Sequence, residues 1–187
     1  MFDQWRNKNK STTVNSDMLS KQRRYNSLVR ALHADIYRYA FWLCGDKHVA
    51  EDITQETFLR AWKSLDSLKD DKAAKAWLIT ILRRENARRF ERKQFDYSDV
   101  EQEQLVDVFS SSNEEHTEQY LLRRQIGKLD AEYREPLLLQ IIGGFSGEEI
   151  AELLDLNRNT VMTRLFRARN QLKDVLDTTE VRGQANG

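Results

Sequence analysis

The sequence predicts an all-α protein built as two small helical domains joined by an acidic linker. Three observations lead there. Seven Gly and one Pro in 187 residues leave long uninterrupted stretches, and apolar residues recur at helical spacing rather than alternating as in strands. The formal net charge of zero hides a segregation: residues 1–95 carry 20 basic and 12 acidic side chains, residues 96–122 carry 8 acidic and no Lys or Arg, and residues 123–187 carry 10 of each. Finally, Phe145 to Leu172 reads as two short helices joined by a tight turn, the second with a basic outer face.

Taken in order, residues 1–20 are polar and mixed and are expected to be a flexible tail. The first domain is expected over residues 21–95. A helix runs from about Lys21 to Leu43, with Tyr25, Leu28, Val29, Leu32, Ile36, Tyr39 and Ala40 on one face, and Gly45-Asp46 ends it. A second runs from about His48 to Leu65, with Val49, Ile53, Leu59 or Phe58, and Trp62 facing inward. Asp66 to Ala74 reads as a charged loop. The third helix, from about Lys75 to Lys93, is apolar at first (Trp77, Leu78, Ile81, Leu82) and then strongly basic.

Residues 96–118 lose the periodicity, are acidic and contain a Ser triplet, which marks the linker. Leu105, Val106, Val108 and Phe109 within it form a short apolar patch expected to dock on something. The second domain is expected over residues 119–177, with a loose tail at 178–187. Tyr120, Leu121, Ile126 and Leu129 start it, and Asp130 caps a helix that contains Pro136, whose missing N–H should cost one backbone bond. Ser146 and Glu149 have the spacing of a capping box, so a helix should begin at Gly147 and stop near Asp155, a residue that tolerates left-handed backbone. Asn157 is suited to cap the last helix. That helix turns Val161, Leu165, Ala168, Leu172 and Val175 inward and Arg158, Asn159, Met162, Thr163, Phe166, Arg167 and Asn170 outward. This is a helix-turn-helix pattern, whose second helix can lie in a DNA major groove; the bland alternative is a solvated helical hairpin.

Composition excludes several classes. One cysteine, Cys44 in an apolar run, rules out a disulfide framework and a Cys-based zinc site and points to a buried structural thiol. The three His are scattered and no Gly-rich phosphate loop exists, so neither an enzyme nor a cofactor is expected. Without a span-length apolar segment or a signal-peptide pattern, a cytoplasmic protein is expected.

Two further stripes carry chemistry. On the second helix Asp52, Gln55, Glu56, Leu59 and Lys63 share one face, which is either a solvated surface or an acidic dock for a basic partner. On the third, Arg84, Arg88 and Arg92 form one stripe and Arg89 and Lys93 the next; such density repels itself unless an anion lies near, so phosphate contact is expected. Trp77, preceded by Lys75, is either core or a stacking surface for an unpaired base.

The segments AEDITQETFLRAW, AWLITIL with its basic run, the acidic linker and TVMTRLFRAR occur in this order. Together they resemble an extracytoplasmic-function sigma factor of bacterial RNA polymerase, over roughly residues 25–95 and 120–175. The resemblance implies a first domain that binds the β′ coiled coil of core polymerase and melts the −10 element, and a second that reads the −35 element and touches the β flap. It implies promoter DNA as a partner, with an anti-sigma factor as another. By motif, Asp52, Gln55, Glu56, Phe58 and Trp62 fall in the polymerase-binding segment, and Lys75, Trp77, Arg83, Arg84 and Arg88 in the −10 segment. Arg158, Asn159, Met162, Thr163, Phe166 and Arg167 fall on the −35 reading face. Met162 stands where a basic residue is common, and Arg84 where Asn is common, which bears on the promoter sequence rather than the role. The alternative is a stand-alone helix-turn-helix regulator, which would need a dimer interface or a sensor domain.

Overall fold

The computed structural model describes residues 2–96 and 118–184, and all regular structure among them is helical. Helix α1 spans Phe2–Cys44, α2 Lys47–Ser64, α3 Ala74–Asp96, α4 Glu118–Lys128, α5 Ala131–Ile141, α6 Gly147–Leu154 and α7 Arg158–Gln184. The charged segment between α2 and α3 is tightened into two short 3-10 turns, Leu65–Ser67 and Asp71–Ala73. The acidic linker's core, with its apolar patch, lies outside the described residues.

Helices α1, α2 and α3 pack on one another as the first unit. Gly45 takes a left-handed φ of 70° and returns its N–H to Phe41 O at 2.8 Å, which closes α1. Asp46 then caps α2, accepting from the Val49 N–H at 2.8 Å. Ile36, Tyr39, Ala40, Ala50, Ile53, Ala61, Leu65, Leu78, Ile79 and Leu82 form the apolar interior. In the second unit α7 is the common wall, packed against α4, α5 and α6. Val161, Leu165 and Ala168 are fully buried there with Leu138, Leu139 and Ile150. Each such aliphatic chain contributes about 1.5–3 kcal/mol, more than the solvent-facing ion pairs around it.

Within the two expected tails, 1–20 and 178–187, the backbone is helical from Phe2 and again to Gln184. The reason is an absence of breakers: the first Gly is Gly45, no Pro precedes it, and none of residues 158–182 is Gly or Pro. Polarity argued for disorder, but a polar chain without breakers continues a nucleated helix at little cost.

Candidate functional site

The helix-turn-helix is set by local chemistry. Ser146 Oγ accepts from the Glu149 N–H at 3.3 Å, while Glu149 Oε2 accepts from the Ser146 N–H at 2.8 Å, completing the capping box. Gly143 must be Gly, because a Cβ there would meet Leu139 O at 2.3 Å and the Phe145 ring at 2.5 Å. Asp155 ends α6 with φ 54°, the left-handed turn expected of it, and Asn157 Oδ1 accepts from the Thr160 N–H at 2.7 Å to start α7. Glu148 and Glu149 are both held below the usual carboxylate range. For Glu148 its own backbone N–H comes first and then Arg158; for Glu149, the Ser146 backbone and hydroxyl.

The outward side of α7 is as the periodicity predicts: Arg158, Asn159, Met162, Thr163, Phe166 and Arg167 are all exposed. The two apolar members stand out, Met162 at 44% and Phe166 at 62% exposure. Their basic neighbours are partly occupied. Arg158 pairs with Glu148 at 2.5 Å and Arg164 with Glu132 at 3.1 Å, whereas Arg167 reaches Tyr133 Oη only at 3.4 Å.

On α2 the polar stripe is surface. Asp52, Gln55, Leu59 and Lys63 are exposed, and Glu56 is half-buried beside Arg60 at 2.9 Å. Phe58, expected in the polymerase-binding segment, is 6% exposed, stacks on His33 at 5.5 Å, and its carbonyl accepts from Tyr25 Oη, so it packs in the core. Its neighbour Leu59, 55% exposed, is the apolar group this face presents. The sequence offered both for the interior; the stripe through Asp52 and Gln55 was the signal that Leu59 points out. Trp62 is half-buried, edge-on to Tyr25 at 5.1 Å with Lys21 above its ring.

On α3 the basic residues do not form one bare surface. Lys75 pairs with Asp35 at 2.8 Å, and Trp77 is half-buried against the core. Arg88 pairs with Glu85 at 2.8 Å, and Glu85, only 8% exposed, also receives Arg60 at 2.7 Å. Arg83 turns toward the second unit and pairs with Glu135 at 2.7 Å. Arg84 is exposed and makes no ion pair among the described residues. The side chains of Arg92 and Lys93 lie outside the described set. Glu85 and Glu135 had no signal in the sequence, since a lone Glu in a helix gives no sign of which cation it will meet.

Burial governs the remaining titratable groups. Cys44, which donates to Asn86 Oδ1 at 3.6 Å, is pushed up to about 11 by burial and remains a thiol, matching the structural role expected of it. Tyr39 is raised well above its ordinary value by burial and then by Glu135, so its hydroxyl stays protonated. Among the described residues no His/Cys/Asp/Glu group is placed to hold a metal, and no helix is long and apolar enough to cross a membrane.

Residues 28–96 match the family model for Sigma-70 region 2, and residues 119–172 match that for Sigma-70, region 4. The chain is 33% identical over 134 residues to the RNA polymerase sigma factor SigV of Bacillus subtilis, covering 72% of this chain and 80% of that one. It is 33% identical over 163 residues to the ECF RNA polymerase sigma factor SigE of Mycolicibacterium smegmatis, covering 81% of this chain but only 61% of that relative's length. In fold it is similar to the sigma factor RpoE of Bartonella quintana, solved in complex with the anti-sigma factor NepR. That likeness has a TM-score of 0.67 at 24% identity and covers 82% of this chain and 97% of that one.

Proposed function

This chain belongs to the extracytoplasmic-function sigma factors, which direct bacterial RNA polymerase to promoters, and we propose that its helical faces divide that work as follows. Residues 21–95 bind core polymerase and the −10 element, and residues 119–177 read the −35 element and touch the β flap. Asp52, Gln55, Leu59 and Trp62 of α2, with Glu56 at the edge, meet the β′ coiled coil. A basic partner helix gives the acids charge-assisted bonds, and Leu59 supplies apolar contact. On α3, Lys75, Trp77, Arg83, Arg84 and Arg88 face the −10 strand, with Arg84 already exposed and the others released from their intramolecular acids on binding.

On α7, Asn159, Met162, Thr163, Phe166 and Arg167 face the −35 major groove, while Arg158 holds the helix start or a phosphate. The chain carries no catalytic site of its own and acts in the cytoplasm, where the polymerase is. A relative solved with an anti-sigma factor supports a partner of that kind here.

The observation that carries this reading is the exposed α2 stripe: a stand-alone regulator has no use for an acidic face with an exposed leucine beside it. Asp52→Lys with Leu59→Ala tests it. Both side chains are exposed, so circular dichroism should match the wild type. Native gel shift with core polymerase should lose the complex, whereas a well-folded variant with wild-type affinity would remove α2 from the interface.

A further inference from the structure

The outward side of α7 carries two neighbouring rows at i, i+4 spacing, and the rows differ in chemistry. Asn159, Thr163 and Arg167 form a polar row that lines a hollow with Glu132 and Tyr133 of α5. Arg158, Met162 and Phe166 form the other row, beside the start of α6. Arg158 is held to Glu148 there, and Met162 Sδ lies so close to Gly147 that a Cβ on that glycine would meet it at 3.1 Å. The thioether therefore rests against α6 rather than swinging free. Beyond Arg158 this row offers no hydrogen-bond donor: a thioether and a phenyl ring, 44% and 62% exposed, occupy it. Thr163 adds no spare donor alongside, because its hydroxyl donates to Asn159 O at 2.9 Å.

Guanine, adenine and cytosine are told apart in the major groove by donors and acceptors. Thymine adds a methyl group, which an apolar side chain rewards and a charged one does not. Cations flank the apolar pair at Arg158 and Arg167, which suits a polyanionic duplex better than an apolar protein surface. We propose that Met162 and Phe166 are a thymine-selecting pair: each covers one C5 methyl, so this part of the −35 element is read by apolar contact rather than by hydrogen bonds. This rests on the assignment of α7 to the −35 element. Four residues of helix rise about 6 Å, and stacked bases lie about 3.4 Å apart along a strand. With the helix following the groove, the two thymines fall within about two base-pair steps of each other, on either strand.

The test uses the full chain bound to core polymerase. Duplexes randomised across the −35 window are selected for binding, and each thymine of the selected element is then replaced singly by deoxyuridine. That change keeps the O4 acceptor and the base pairing and removes only the methyl. Fluorescence-anisotropy competition gives the affinities. The selected element should hold two such thymines, and loss of either methyl should weaken binding by about fourfold, the worth of one buried CH2 group. Met162→Ala should erase one of the two methyl effects and Phe166→Ala the other. Met162→Arg should move the preference at its position from thymine to guanine. Both side chains are exposed, so circular dichroism should match the wild type; the deoxyuridine series on the wild-type chain carries the test if it does not. A −35 motif indifferent to deoxyuridine, or methyl effects that survive both Ala variants, overturns the thymine pair and leaves α7 as the reader. Selection that returns no −35 motif at all overturns the reading by α7, and the pair with it.

Discussion

At the scale of single residues, the outward face of α7 is the one proposed to read the −35 element, and its members differ in how freely they are held. Arg167 is exposed and only loosely held by Tyr133, so its guanidinium is available for a bidentate contact with a guanine edge. Arg169 is tied to Gln140 at 2.5 Å on another side of the helix. Arg167→Ala should cost about 1–3 kcal/mol at the cognate −35 element and much less on unrelated duplex, measured by competition binding of the polymerase holoenzyme. Equal weakening on every sequence would make Arg167 a phosphate clamp. The inward and outward sets of α7 were legible residue by residue, because one helix with a 3.6 period fixes both faces. Phe58 and Leu59 were not, since two adjacent apolar residues lie about 100° apart and either can face a core whose position depends on α1 and α3.

At the scale of the element, α6 is eight residues long and too short to persist without its caps. Its N-terminus depends on the Ser146–Glu149 box and on Glu148, which reaches Arg158 across the turn. Both carboxylates lie below their ordinary values in the folded protein, so their stabilisation is fully present above the usual carboxylate range. It is lost as pH falls through the lower values that the folded state imposes. Acidification should therefore raise amide exchange at Ile150 and Ala151 before it does so at Leu78 and Ile79 in α3, and Ser146→Ala should advance that loss to higher pH. Simultaneous opening of both helices at every pH would mean that the caps do not govern α6. This element could be read almost whole from sequence, because its caps, turn residue and breaker are all local. The helical ends of α1 and α7 could not, since polarity and the absence of breakers pointed in opposite directions there.

At the scale of the molecule, the buried residues of the two units form one cluster, and the units share the seam at Arg83, Glu135 and Tyr39. Sequence motifs located the two units but not the seam, which depends on residues 96 apart for Tyr39 and Glu135 and 52 apart for Arg83 and Glu135. Arg83, Arg88 and Lys75 were recognisable as cations, but each has an acidic partner, Arg83 and Lys75 on other helices and Arg88 one turn back on α3. Part of the basic face is therefore paired at rest, while Arg84 remains exposed. The central claim, that these faces together direct polymerase, is tested most directly by in vitro transcription from a randomised promoter library with purified core polymerase and this chain. The expected result is a set of transcripts whose templates share a −35 and a −10 motif at fixed spacing, abolished by Asp52→Lys with Leu59→Ala. Transcripts no more frequent or sequence-selective than those of core polymerase alone, from a chain that nonetheless binds duplex DNA, would contradict the account.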